Sequence, residues 1–563
     1  MDKLNKINKN LASKKCITKG CGVIRVRFAP SPTGYLHIGG LRTCLYNWLF
    51  AQKNKGKLIL RIEDTDRERY VEGATEGLIK TLKLMGLKRD EGPILPKGQK
   101  NFQFPISNFQ YKGKFGPYLQ SQRLQIYQNL ALKLVEAGHA YYCFCTPQEL
   151  EAMRQAQTAQ KLPPIYNRHC RNLNKEELKR RLQAGQPYVI RLKVPEQESP
   201  PSPNGLRRTS IKFKDLIRGE VEFDLKTVDD QILIKSDGWP TYHLANVIDD
   251  HLMGITHVIR GEEWLPSGPK HLLIYQFLGW QPPKFAHLPL ILNPDRSKLS
   301  KRQGDVAVED YLAQGYLPEA LLNFIALLGW NPDTNQEIFT IKDLIKQFSL
   351  EKIQKAGAVF NREKLDWING RYIRKMSVRD LTIKCLPYLV QAGLIMPLNP
   401  KFEIRNSKQI SKSKFQIPET GEIVDFKWLT KIVALEQERL KRLDEIAERT
   451  KFFFVDKLDY DPKILIWRKM TAESAKQNLI LVKNELEKLS AGKFKIKNIQ
   501  EILNDLAKKQ GAGEIFWPFR VALTGQQASP PPAEIAEILK KEKVLKRIET
   551  ALKLLKHYDK EGR

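Results

Sequence analysis

Apolar and polar residues alternate over Val23-Ile24-Arg25-Val26-Arg27-Phe28, the period of a β-strand. Ala29-Pro30-Ser31-Pro32-Thr33-Gly34 must then be a loop, because two prolines and a glycine forbid regular pairing. Ile38, Leu41, Leu45, Trp48 and Leu49 follow at helical spacing, and Gly56 closes the run. Leu58 to Ile62 reads as a second strand that leads into Glu63-Asp64-Thr65-Asp66. Strand, helix and strand in about 40 residues make a βαβ unit and predict a parallel α/β sheet.

From Lys97 to Gly116 the chain is aromatic, polar and irregular, the pattern of a loop or insertion. Helical spacing returns with Ser121 as N-cap, then Leu124, Tyr127, Ala131, Leu134 and Val135. Ser199 to Gly205 is a surface turn or linker, and strand text resumes over Gln231-Ile232-Leu233-Ile234. Beyond Val306 the pattern is mostly helical. After Pro530-Pro531-Pro532, one helical face carries Ile535, Ile538, Leu539, Leu545, Ile548, Leu552 and Leu555. The opposite face is nearly all Lys, Arg and Glu, which predicts a packed amphipathic helix rather than a membrane helix. A chain of 563 residues fits three to five domains at about 100–200 residues each.

Composition adds charge to this picture. There are 94 Lys and Arg against 63 Asp and Glu, a formal net charge of +31. Such an excess attracts polyanions, nucleic acid first; a Lys-rich surface that reflects biased coding composition is the other reading. No stretch is apolar long enough to span a bilayer. Seven cysteines, mostly scattered, point to a reducing compartment, and the cytoplasm is the expected location. Met1 to Gly22 is rich in Lys and Asn and has no apolar core, so it is expected to be a disordered basic tail rather than a secretory signal.

Two segments carry candidate chemistry. Pro30 to Gly40 joins the first strand to a helix N-terminus, whose free N–H groups and partial positive charge suit a phosphate. Within it, Gly39 and Gly40 let a nucleotide lie close to the backbone, and His37 can donate to the phosphates. More than 250 residues later, Asn293 to Arg302 is a polar loop that contains Lys298, Ser300 and Lys301. Two lysines with a serine can hold a triphosphate and neutralise charge on leaving pyrophosphate. Either segment alone would be unremarkable text on a protein surface.

Together, His37-Ile38-Gly39-Gly40 and Lys298-Leu299-Ser300-Lys301-Arg302 resemble the two signatures of class I aminoacyl-tRNA synthetases. Arg27 to Gly34, Arg61 to Asp66, Gly116 to Ser121, Tyr242 to His251, Val258 to Trp264 and Phe516 to Gly525 all look like the bacterial-type glutamyl-tRNA synthetase family. The similarity runs over nearly the whole chain from Val23. The N-terminal tail and an insertion at about residues 97–114 depart from it without touching a motif. The resemblance implies an α/β N-terminal half, a Rossmann-type parallel sheet with an inserted α/β acceptor-binding domain, followed by an all-α C-terminal half. The implied boundaries are a tail at 1–22, a Rossmann catalytic domain at 23–118 and 241–302, the inserted connective domain at 119–240, a stem-contact helical domain at 303–378, and a helical anticodon-binding domain at 379–563.

The same resemblance implies site roles. Glutamate would be held by Arg27, Ser31, Glu63, Tyr242, Asn246 and Arg260. The arginines suit its carboxylates bidentately, Tyr242 adds a hydroxyl, and Glu63 suits the α-ammonium. Asp64 and Asp66 read instead as carboxylates that cap a helix. ATP would be held by His37, Gly39, Gly40, Lys298, Ser300 and Lys301, with His37, Lys298 and Lys301 catalytic, and with Mg²⁺ held largely by the phosphates. The implied activity is ATP-dependent ligation of glutamate to the 3′ end of tRNA(Glu), with tRNA(Gln) as a further acceptor, by a monomer. Arg439 and Arg442 lie where the anticodon would be read, although each suits an ordinary surface arginine better. A synthetase of glutaminyl specificity and a non-catalytic RNA-binding paralogue are the alternatives. The helical C-terminal half disfavours the first, and the intact His37, Lys298 and Lys301 disfavour the second.

Some family members bind Zn²⁺ through Cys-x-Cys, a gap, then Cys-x-His. Here Cys143 and Cys145 precede Cys170 by a gap of 24 residues, but the last position is Asn172, a poor zinc ligand. The expectation is a degenerate site without metal; three thiolates with His169 or water are the alternative. Other cysteines, such as Cys44, read as core fillers.

Overall fold

The computed structural model of the chain describes residues 22–95, 109–195, 210–299, 307–399, 410 and 412–561. The basic tail, most of the expected insertion, the Ser199–Gly205 linker, and Ser300, Lys301 and Arg302 lie outside the described residues. Two compact units form: one runs to Leu312 and includes Pro318–Arg362; the other comprises Ala313–Leu317 and Glu363–Arg563.

The first unit opens with the βαβ unit that the apolar pattern predicts. Strand β1 (Arg25–Phe28) and strand β2 (Lys57–Leu60) pair in parallel, Arg25 beside Lys57 and Phe28 beside Leu60, and helix α1 (Ile38–Lys53) connects them. Helix α1 buries Ile38, Leu41, Cys44, Leu45, Trp48 and Leu49, so Cys44 is a core residue as expected. Next come helix α2 (Leu124–Glu136), strands β3 (Ala140–Cys143), β4 (Val189–Leu192), β5 (Ser210–Asp215), β6 (Gly219–Asp224) and β7 (Ile232–Ile234), helix α3 (Tyr242–Leu252), strand β8 (His257–Gly261), helix α4 (Gly268–Phe277) and strand β9 (Lys284–Leu288). β3, β4 and β7 make a small antiparallel sheet.

β8 and β9 are parallel, and Thr256 laces them to β1: its N–H donates to Arg25 O at 2.9 Å, and its carbonyl accepts from Lys284 N at 3.0 Å. β9 pairs in turn with β5 through Phe285 and Asp215, and β5 folds back on β6 as a hairpin. That hairpin falls in the sequence range ascribed to the inserted connective domain, 119–240, yet it hydrogen-bonds to the parallel strands. The carboxyl ends of β1, β2, β8 and β9 face one cavity, the side on which open α/β sheets bind ligands.

Several local expectations change. Ser121 caps no helix: α2 starts at Leu124 after a 3₁₀ turn, and the Ser121 N–H and hydroxyl go to Asp64 at 2.8 and 2.6 Å. Asp64 and Asp66 cap no helix either, because the following helix, Ala74–Leu84, begins after Gly73, and Asp66 instead accepts from Arg69. The described end of the irregular 97–116 stretch includes a strand, Gln110–Lys112, antiparallel to Gly92–Ile94; three residues are too few to show an alternation in sequence.

In the second unit, helices Val378–Gln391, Phe426–Glu436, Ala472–Glu487, Ile496–Gln510, Ala512–Thr524 and Pro532–Glu561 dominate. A small antiparallel sheet of Met396–Pro397, Lys414–Gln416 and Ile423–Asp425 joins them, an addition to the all-α expectation. The closing helix is broken at Lys540, where φ is 68° and ψ is 159°. The break shifts the buried face. Ile535, Leu539, Ile548 and Leu555 are inside as expected, but Val544, Arg547 and Ala551 are buried where Leu545 and Leu552 are half-exposed. No described helix is long and apolar enough to cross a membrane.

Candidate active site

The cavity at the strand ends has a volume of about 970 Å³. Arg27, Ser31, His37, Gly39, Gly40, Glu63, Tyr242, Arg260 and Lys298 all line it, so two segments far apart in sequence meet at one place. Asn246 does not line it, and Ser300 and Lys301 lie outside the described residues.

One end of the cavity is built by the turn into α1. His37 is the N-cap of that helix, and its Nδ1 accepts from Gly40 N at 3.0 Å, which leaves the ring proton on Nε2. The glycines ease the packing here: a Cβ at Gly39 would lie 3.1 Å from the His37 ring and one at Gly40 3.0 Å from Leu36 Cδ1, so either neighbouring side chain would have to shift by a few tenths of an ångström. Lys298 is exposed, at the end of a turn in which the Asp295 carboxylate accepts from Ser297 N and Oγ, and it forms an isolated bridge with Leu292. Among the described residues no ion pair engages Lys298, so its charge remains available to the cavity.

The other end is buried. Arg27 donates from Nε to Asp250 at 3.1 Å and from Nη2 to Asn246 Oδ1 at 3.4 Å. Arg61, fully buried, donates to Asp250 at 2.7 Å, to Glu63 Oε1 at 2.9 Å and to Asn246 Oδ1 at 3.1 Å. Asn246 is thus a brace behind the wall, where sequence reasoning expects a direct ligand. The Nη1 of Arg27 and the Oε2 of Glu63 have no protein partner among the described residues, and both residues face the cavity. Burial raises the Glu63 carboxyl, although Arg61 and Arg27 pull against it. Burial works in the same direction on Asp250, but Arg27 and Arg61 overcome it and hold that carboxyl below its ordinary range. On the far side of the pocket, Arg260 Nη1 donates to the Tyr242 hydroxyl at 3.2 Å, and the Tyr242 ring lies 4.0 Å from that of Trp264.

Arg61, Asp249 and Asp250 escaped the sequence-level assignment of roles. Asp249 collects Gln120 Nε2, Arg123 Nε and the Tyr127 hydroxyl at 2.7–2.9 Å. The available signal was a charged pair, Asp249-Asp250, inside otherwise apolar helical text, since buried charge needs partners.

Away from the cavity, Cys143, Cys145 and Cys170 place their sulfurs within 4.8 Å of one another. The Tyr166 hydroxyl lies 3.3 Å from Cys143 Sγ and 3.4 Å from Cys145 Sγ. Hydrogen bonding from Cys170, against the cost of burial, brings the Cys143 thiol down to about 4. The three sulfurs fit a zinc donor set in kind, and a phenol oxygen brings the donors to the four of a tetrahedral site, although burial and the cysteines hold its proton on; that oxygen comes from Tyr166, which sequence reasoning passed over in favour of position 172. His169 is not part of the cluster.

Comparisons with known proteins agree with this geometry. Residues 23–367 match the family model described as the catalytic domain of class I tRNA synthetases (E and Q), and residues 394–552 match an anticodon binding domain. The chain is 44% identical to the glutamate–tRNA ligase of Alkaliphilus metalliredigens, over 93% of this chain and 98% of that one. It is 44% identical to that of Chloroherpeton thalassium, over 95% and 99%. The crystal structure of a glutamate tRNA ligase from Elizabethkingia meningosepticum, in complex with its amino acid, superposes with a TM-score of 0.75 at 36% identity, covering 94% of this chain and 99% of that one. The chain therefore belongs to the class I tRNA synthetases of the glutamate and glutamine group, among the glutamate–tRNA ligases.

Proposed function

We propose that this chain joins L-glutamate to the 3′ end of tRNA(Glu) through a glutamyl-adenylate. The observation that carries this is the meeting of the His37 turn and the Lys298 turn in one cavity with Arg27, Glu63 and Arg260. ATP binds with its phosphates over the start of α1, where His37 Nε2–H donates and Lys298 neutralises charge; Ser300 and Lys301, which follow Lys298 in sequence, are assigned to the same ligand. Arg27 and Arg260 take the carboxylates of glutamate, Ser31 and the Tyr242 hydroxyl add hydrogen bonds, and Glu63 accepts from the α-ammonium.

The α-carboxylate attacks the α-phosphorus, and the bond to pyrophosphate breaks. A terminal ribose hydroxyl of the tRNA then attacks the acyl carbon, and AMP leaves. No protein nucleophile is required, so alignment and charge stabilisation carry the rate. Mg²⁺ would shield the phosphates.

The acceptor end of the tRNA falls to residues 119–240, its stem to 303–378 and its anticodon to 379–563. The match of residues 394–552 supports the last of these. Charging of tRNA(Gln), a monomeric state and a cytoplasmic location complete the proposal. The cysteine cluster would hold Zn²⁺ through Cys143, Cys145 and Cys170 with Tyr166 closing the set, in a structural role remote from the reaction. Elemental analysis of the purified protein checks this: one zinc per chain is expected, and none would restore the metal-free expectation.

Pyrophosphate exchange with and without tRNA tests the main proposal. Lys301→Ala should abolish exchange while tRNA binding persists; a folded variant that exchanges at the parent rate refutes the assignment.

A further inference from the structure

A guanidinium offers five N–H donors in one plane and accepts nothing. Arg260 spends four of them on the protein. Its Nε donates to His287 Nε2 at 3.1 Å, Nη1 donates to the Tyr242 hydroxyl and to His271 Nδ1 at 3.2 Å each, and Nη2 donates to Trp264 O at 3.3 Å. One Nη2 N–H is left over. The Tyr242 hydroxyl accepts from Arg260 and so keeps its own proton to give. Both residues line the cavity; His271 and His287 do not.

His287 can accept from Arg260 only if its own proton sits on Nδ1. Asp215 enforces this, with Oδ2 2.7 Å from Nδ1. Among the described residues every other donor on that carboxylate is a backbone N–H: Ile217 at 2.9 Å, Arg218 at 2.8 Å and His287 at 3.1 Å. A carboxylate ringed by fixed donors is ionised and only accepts, and these bonds hold Asp215 below its ordinary range against burial. The logic repeats on the other side. His271 Nδ1 accepts from Arg260, so Nε2 carries the proton and donates a hydrogen bond to His243 Nδ1 at 3.1 Å. Burial keeps both His271 and His287 in the neutral form that this pattern requires.

We infer that Asp215 and His287, backed by His271, are positioning residues that set the plane of the Arg260 guanidinium and thereby the affinity for glutamate. The inference rests on Arg260 being a ligand of the amino acid. Asp215 ends β5, and the pairing of β5 with β9 at Phe285 brings its carboxylate to His287, behind the pocket wall. In Asp215→Asn the side-chain amide can donate to Nδ1. The ring proton then moves to Nε2, where it confronts the Arg260 Nε–H head-on.

The test is tRNA-dependent pyrophosphate exchange with the full chain, measuring KM for glutamate, KM for ATP and kcat. D215N should raise the glutamate KM about tenfold and leave the ATP KM within about twofold, the pattern of lost uniform binding. His287→Gln keeps an oxygen acceptor and should stay within about threefold of the parent; His287→Leu, which has none, should match D215N. Variants that melt like the parent yet keep the parental glutamate KM overturn the inference, as do equal rises in both KM values. Where D215N does not fold, the contrast between H287Q and H287L decides. Arg260→Ala separates the two levels. If it leaves the glutamate KM unchanged, the reading of the site itself falls; if it raises that KM while D215N and H287L do not, only the positioning role falls.

Discussion

The two ends of the cavity are built on opposite principles. At the end proposed for glutamate, Arg27, Arg61, Glu63 and Asp250 are buried and already joined to one another. At the end proposed for the ATP phosphates, His37 and Lys298 are exposed, and Lys298 stands on a turn. The buried end has paid its desolvation during folding and presents donors in fixed directions, which suits discrimination between small amino acids. The exposed end leaves its charge hydrated until ATP arrives, which suits a ligand that must be bound, cleaved and released. Stability should therefore be concentrated at one end and rate at the other.

The sharpest way to break this contrast is Asp250→Ala. It strands Arg27 and Arg61 without their shared carboxylate, and loss of one partner of a buried pair costs about 3–5 kcal/mol. Chemical denaturation should show that loss, with glutamate binding falling alongside. At the other end, Lys298→Ala should lower kcat for exchange about a hundredfold, near the cost of removing one charge-stabilising donor. Its unfolding free energy should stay within about 0.5 kcal/mol of the parent, as for an exposed residue. A loss of stability in that variant would erase the distinction.

Acid should act on two half-buried histidines of helix α3, outside the cavity, as well. Burial, aided by Lys270 and Arg260, pushes His243 down to about 4, and burial does the same to His251. A histidine kept neutral by the fold binds its proton more readily once unfolded. Its stabilisation is complete above the unfolded value near 6.5 and declines as pH falls from there toward 4. The melting temperature should drop across that window, and His251→Asn should flatten the drop. The smallest effect is expected from Gly39→Ala, whose Cβ presses on the His37 ring at 3.1 Å. The ATP KM should rise severalfold while the glutamate KM stays put.

Legibility in the sequence follows the same divide. His37, Gly39, Gly40 and Lys298 sit in short contiguous segments, so they could be found by reading along the chain. Arg27, Glu63, Tyr242 and Arg260 were accessible through resemblance. Asp215 and His287 act through partners brought close by tertiary pairing, such as β5 against β9, and nothing local signals that; Asp250 was signalled only by the charged pair in apolar helical text. Asn246 shows the converse: it sits in the right motif, but the fold turns it behind the wall to brace two arginines. The closing helix was legible up to Lys540, after which a single positive φ moves the buried stripe onto Val544, Arg547 and Ala551. Ser121 likewise had the right residue type for a cap, and Asp64 claimed it.

Arg547 has a consequence for how the chain is made. Its guanidinium closes over the carbonyls of Leu523, Phe452 and Val455, joining the last helix to segments some 24 to 95 residues earlier. Those carbonyls have no substitute for it until the final stretch has left the ribosome. Messages cut short upstream of codon 547 should yield a C-terminal unit that quality control removes, whatever the state of the catalytic half.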